Sequence, residues 1–130
     1  MKSVLFVCTH NSGRSQMASA FLNYLSNGSI ESESAGTIPS DSVNQTVVDA
    51  MLENGIDISG ETPKVITQEM IDRSDKVITM GCSIDETCPA TFVVAEDWGL
   101  EDPSGKDMIV VRRIRDQIEE RVTLLIEESD

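Results

Sequence analysis

No apolar stretch in the 130-residue chain approaches the roughly 20 residues a membrane-spanning helix needs. The greasy run near its start, in MKSVLFVC, is short and lacks a cleavage-like region. The expected compartment is therefore the cytoplasm. Basic residues are scarce: 10 Lys and Arg face 23 Asp and Glu, a net charge of −13. That balance disfavours a nucleic-acid or anionic-membrane binder, because phosphate backbones need clustered cations. If the substrate is an anion, its attraction must be local, from backbone N–H groups and one or two cations. There is no C-x-x-C pair, and His10 is the one histidine, so no metal site is expected. Cys8, Cys82 and Cys88 are the only cysteines, an odd count without an export signal. A disulfide framework is improbable there, and reactive thiols are the better reading.

What remains is a patterned chain. Hydrophobic content of 39% in periodic segments points to a globular fold, and the length suits one domain over 1–130. Ser3–Val7 reads as a strand buried in a parallel sheet. From Ser15 the positions Met17, Ala20, Phe21, Leu22 and Leu25 recur at helical spacing until Asn27-Gly28. Ile30–Ala35 (IESESA) is a weaker strand nearer an edge. Pro39, Ser40 and Asp41 offer an N-cap for a helix carrying Val43, Val47, Val48, Met51 and Leu52. Thr67 caps a short helix through Asp72, and Lys76–Met80 and Phe92–Ala95 are further strands. Asp97–Lys106 reads as a functional loop before a last helix striped by Val111, Ile114, Ile118, Val122 and Leu125. Such alternation implies an α/β doubly wound sheet, whose ligands bind beyond the carboxyl ends of the strands. Cys8 closes the first strand and Cys82 follows the third, so neighbouring strands about 4.8 Å apart would bring both thiols to one rim.

The segment CTHNSGRS, Cys8–Ser15, carries the chemistry. Thr9, His10, Asn11, Ser12 and Gly13 are small or polar and precede a helix, the makings of an anion nest backed by the helix's positive end. Gly13 suits a close approach or a positive φ, and Asn11 tolerates a left-handed backbone. Arg14 supplies a forked, permanent charge for a tetrahedral oxyanion. Cys8 then lies at the floor of a site that stabilises thiolate, with Ser15 as a further donor to the sulfur. A Walker loop is absent.

C-x5-R-S straight after the first strand resembles the low-molecular-weight protein tyrosine phosphatase superfamily, and within it the thioredoxin-coupled arsenate reductases. RSQMA, SAG at Ser34–Gly36, GIDIS at Gly55–Ser59, the Cys82/Cys88 segment and WGLEDPSGK extend the likeness over the whole chain. The resemblance implies a four-stranded parallel sheet of order 2-1-3-4 flanked by helices. It also implies a relay. Cys8 attacks arsenate while Asp102 protonates the departing hydroxyl. Cys82 attacks Cys8, and Cys88 attacks Cys82, leaving a disulfide for thioredoxin, the external reductant, with no bound cofactor. A monomer is expected.

The alternative is a phosphatase that hydrolyses phosphomonoesters through a Cys8 phosphoenzyme, with Asp102 as general acid. In phosphatases of this family an aromatic residue typically follows the Asp-Pro pair, whereas Ser104 stands here. A non-catalytic oxyanion-binding or redox-sensing module is a third class, but it would usually lose Cys8, Arg14 or Asp102. Six residues of straight helix would hold Cys82 and Cys88 about 9 Å apart, beyond the roughly 7 Å a disulfide tolerates. Pairing them therefore requires the segment to rearrange. Position 13 is Gly where many relatives carry a second loop cysteine, and position 10 is His where many have Gly. Some relatives bind potassium with acidic residues, and Ser19 and Lys64 stand at the matching positions. Lys64 is also a candidate to place its ammonium near the loop. Trp98 has two readings, a reporter beside the acid loop or an anchor in the core.

Overall fold

The computed structural model describes residues 2–80 and 95–129. Strands β1 (Lys2–Cys8), β2 (Ile30–Gly36), β3 (Lys76–Thr79) and β4 (Ala95–Asp97) form one parallel sheet in the order β2-β1-β3-β4. The helices are α1 (Arg14–Leu25), α2 (Gln45–Leu52), α3 (Gln68–Asp72) and α4 (Met108–Ser129).

The run of apolar residues in β1 has its reason in the pleat. Successive side chains alternate between faces, and both faces are covered. Val4, Phe6 and Cys8 join the larger core, with Met17, Phe21 and Leu22 of α1, Val47 and Met51 of α2, and Val111, Ile114 and Ile118 of α4. Leu5 and Val7 point the other way, into a smaller core with Ala35, Ile66, Ile71 and Val77. Each large apolar side chain buried this way contributes about 1.5–3 kcal/mol. Asn27 (φ 57°) and Gly28 (φ 81°) end α1 as their left-handed preferences require. The Thr67 hydroxyl accepts from the Met70 N–H and caps α3. Trp98 is buried, its ring 5.7 Å from that of Phe6, which makes it a core anchor.

Several boundaries differ from the sequence reading. The first helix opens one residue earlier, at Arg14. Among the described residues the fourth strand covers Ala95–Asp97, two residues past the expected end at Ala95; residues 92–94 of the expected strand fall outside them. The helix expected after Pro39-Ser40-Asp41 begins only at Gln45, capped by the Asn44 side chain on Thr46 N–H at 2.9 Å. The reason is competition for backbone donors. Thr37, Ile38, Ser40 and Asn44 donate their N–H groups to the carbonyls of Cys8, Thr9, His10 and Ser12, at 3.3, 2.8, 3.0 and 2.9 Å.

Candidate functional site

That strap of residues 37–44 explains how the segment after β1 is built. Besides the four carbonyls it holds, the Asn11 carbonyl accepts from Gln16 Nε2 at 3.1 Å and the Gly13 carbonyl from Met17 N at 2.9 Å. Every carbonyl from Cys8 to Gly13 is thereby bonded. The N–H groups of Thr9, His10, Ser12 and Gly13 donate to nothing among the described residues. A run of uncommitted amides at a helix N-terminus is an anion-binding concavity. Gly36 makes the close fit possible: a Cβ there would stand 2.6 Å from the Thr9 carbonyl oxygen and 2.9 Å from Asn11 N.

Asn11 organises the interior. It takes the left-handed conformation (φ 51°) and is fully buried. Its Oδ1 accepts from Lys64 N at 2.8 Å, which fixes the amide's orientation and leaves Nδ2 to donate to Ser15 Oγ at 2.7 Å. With that lone pair occupied, Ser15 Oγ is free to donate onward to Cys8 Sγ, 2.8 Å away. Asn11 N–H is a second donor to the sulfur at 3.2 Å. Two donors therefore converge on the sulfur.

Arg14 is buried and donates through Nη1 to the carbonyls of Met80 (2.6 Å) and Leu100 (3.0 Å). Its Nη2 stands 3.9 Å from Asp102 Oδ2, an ion pair without a hydrogen bond. Asp102 is half-exposed, and its Oδ1 accepts from Ser104 N at 2.9 Å, closing the turn that carries Pro103. Cys8, Thr9, His10, Asn11, Ser12, Gly13, Arg14, Ser15 and Asp102 are thus gathered at the carboxyl ends of β1 and β3. Those strands are neighbours with Val7 opposite Thr79, so Cys8 and Met80 share one rim. Cys82, Cys88 and the rearrangement expected of their segment lie outside the described residues.

Other expectations resolve differently. Gly13 has φ −145°, so its value lies in close approach and not in a left-handed backbone. The imidazole of His10 is only partly exposed, its Nδ1 donating to the Ile38 carbonyl at 3.1 Å. Lys64 meets the loop through its backbone, while its charge, after Arg73, helps hold the Glu33 carboxyl below its ordinary range. Ser19 Oγ pairs with Ser32 Oγ at 2.9 Å. Gln16 and the 37–44 strap went unnoticed in the sequence. A glutamine one residue after the Arg-Ser pair was the signal for the first. Only the run of polar, turn-forming residues hinted at the second.

A parallel sheet of this order, with an amide-lined cysteine-to-arginine loop at its rim, defines an α/β protein of the phosphatase-loop type. The model of the low molecular weight phosphotyrosine protein phosphatase family matches residues 3–130, and the chain belongs to that family. It is 44% identical to a glutaredoxin arsenate reductase of Synechocystis, covering 97% of each chain. Among solved structures, an arsenate reductase in the phosphate-binding state is 43% identical, covers 98% of both chains and superposes with a TM-score of 0.86. A thioredoxin-dependent arsenate reductase of Corynebacterium glutamicum is 38% identical with a TM-score of 0.82, over 100% of this chain and 64% of that one.

Proposed function

We propose that the protein reduces arsenate to arsenite through Cys8, Cys82 and Cys88 and is regenerated by thioredoxin. The observation that carries the reading is the Cys8 sulfur, held by two donors beneath a loop whose Thr9, His10, Ser12 and Gly13 amides donate to no described residue. The relatives named as arsenate reductases support the same choice of substrate.

Arsenate enters the loop, its oxygens facing the amides of Thr9 to Gly13 and the guanidinium of Arg14. The Cys8 thiolate forms a bond to arsenic as a hydroxyl departs, protonated by Asp102 to leave as water. The Cys82 thiolate then attacks the Cys8 sulfur. The S–As bond breaks with its electron pair going to arsenic, so As(V) becomes As(III) as two thiolates become one disulfide. Cys88 attacks Cys82 and releases the Cys8 thiolate. Thioredoxin reduces the Cys82–Cys88 bridge by exchange. The reading is of a cytoplasmic, monomeric, single-domain enzyme without a resident cofactor.

Phosphate would occupy the same loop. A Cys8 phosphoenzyme would follow, but this chain carries Ser104 after Asp102-Pro103 and two further cysteines that hydrolysis does not need. The test is arsenate-dependent NADPH oxidation with thioredoxin and thioredoxin reductase, run on wild type, Cys82→Ser and Cys88→Ser. Turnover with wild type alone is expected. Aryl phosphate hydrolysis indifferent to both substitutions, or turnover supported by glutaredoxin and glutathione but not by thioredoxin, would overturn the corresponding part.

A further inference from the structure

Gln16 stands at the third position of α1, where a helix ordinarily places a side chain that bonds back onto the N–H of its capping residue. The capping residue is Gly13, and among the described residues its N–H donates to nothing. Gln16 is turned to another task. It is 3% exposed, and its Nε2 lies 3.1 Å from the Asn11 carbonyl oxygen and 3.2 Å from Asn11 Oδ1. Both partners are acceptors, so the amide presents its nitrogen to them. The chain has 23 acidic residues, yet the first turn of α1, where helix polarity favours them, holds none.

We infer that Gln16 is a positioning residue for the anion site: by donating to Asn11 instead of accepting from Gly13, it fixes the left-handed turn and leaves the Gly13 amide to the anion. This rests on the reading of the loop as an oxyanion site, and not on the thiol relay. Asn11 spreads the effect, since its Nδ2 reaches Ser15 Oγ and its own N–H reaches the Cys8 sulfur. Gln16→Glu would restore the ordinary cap at the expense of the site. A carboxylate has no hydrogen for the two Asn11 oxygens, competes for the Gly13 N–H, and repels the anion. Gln16→Met keeps the length and removes the donor alone.

The test is the concentration of inorganic phosphate that half-protects Cys8 from alkylation, read in a Cys82→Ser/Cys88→Ser background well below the unfolding temperature of every variant. Gln16→Met should raise it about 10-fold, as expected for acceptors left without their donor. Gln16→Glu should raise it on the order of 100-fold, because a loop amide is lost as well. With all three cysteines present, the arsenate concentration that half-saturates single-turnover arsenite release should rise in the same order. Val122→Ala, which hollows the core beneath the C-terminal half of α4, lowers stability and should leave phosphate protection at the wild-type level. The inference is overturned if Gln16→Glu protects no worse than Gln16→Met, if Gln16→Met protects like wild type, or if Val122→Ala weakens protection as far as either. Phosphate that fails to protect the wild-type loop would strike the oxyanion reading, and the inference with it. Protection ordered as expected in a protein that releases no arsenite would strike the arsenate reading and leave the role of Gln16 standing.

Discussion

Among the described residues two arginines are buried, and they are used in opposite ways. Arg115 sits between α2 and α4 with two of its three nitrogens committed: Nη1 to the Ala50 carbonyl (2.9 Å) and Glu53 Oε1 (2.7 Å), and Nε to Asp116 Oδ1 (2.9 Å). Glu53 is in turn gripped by Arg112 through Nε and Nη2. Arg14 commits only Nη1, to two backbone carbonyls, and among the described residues its Nε and Nη2 donate no hydrogen bond. The carboxylate nearest it stands off at 3.9 Å. Burial of a charge does not separate a structural site from a functional one here. Donors fixed in place and uncommitted do, and among the described residues the amides of Thr9, His10, Ser12 and Gly13 repeat the pattern. Such preorganised donors are what stabilise an anion without reorganisation when it arrives.

Substitution at the two arginines should break the comparison most visibly. Arg14→Lys keeps the charge and loses the fork, and is expected to lower kcat/KM for arsenate by about 100-fold or more. Arg115→Met should leave turnover near that of wild type. It strands the buried Ala50 carbonyl, at a cost of about 1–3 kcal/mol in chemical denaturation. Equal losses of activity in both variants would show that the two sites are not distinguished by their free donors.

Acid sharpens the same contrast more gently. Hydrogen bonds from Arg112 and then Arg115 pull the Glu53 carboxyl from 4.5 down to about 2. A carboxylate depressed in the folded state stabilises above its unfolded value, and that contribution disappears as pH falls through the folded one. The stabilisation is therefore complete above about pH 4.5 and fades between there and pH 2. Glu53→Gln should accordingly lower Tm at pH 6 and converge on wild type as the pH approaches 2. A gap in Tm that stays constant over that window would mean the ion pairs do not carry the effect.

How much of this was legible in advance divides along the same line. β1, the opening of α1 and the chain from Cys8 to Ser15 are written in contiguous residues, because a buried strand, a turn and a helix start each leave a local pattern. Asn11's positive φ and Thr67's cap follow from the chemistry of those side chains alone. The strap at 37–44 does not, since its bonds run from backbone N–H groups to backbone carbonyls some 30 residues away and any sequence can supply them. The close approach of Pro103 to Gly13 is hidden for a related reason. It depends on two loops 90 residues apart meeting, which only the order of the strands brings about.

The smallest expected effect separates the strap from an ordinary helix start. Asn44 and Thr67 each cap a helix with one side-chain acceptor, on Thr46 N and Met70 N, and Ala at either should cost about 1 kcal/mol. The Thr67 cap touches nothing in the loop, so Thr67→Ala should leave Cys8 alkylation unchanged. Asn44 also donates its own N–H to the Ser12 carbonyl at 2.9 Å. Loss of its cap loosens the residue that holds that carbonyl outward and the neighbouring amides inward. Asn44→Ala should therefore weaken phosphate protection of Cys8 at equal stability cost. If the two variants protect alike, the carbonyls of the loop are held by something other than the strap, and the order of the amides must come from Asn11 and Gln16 alone.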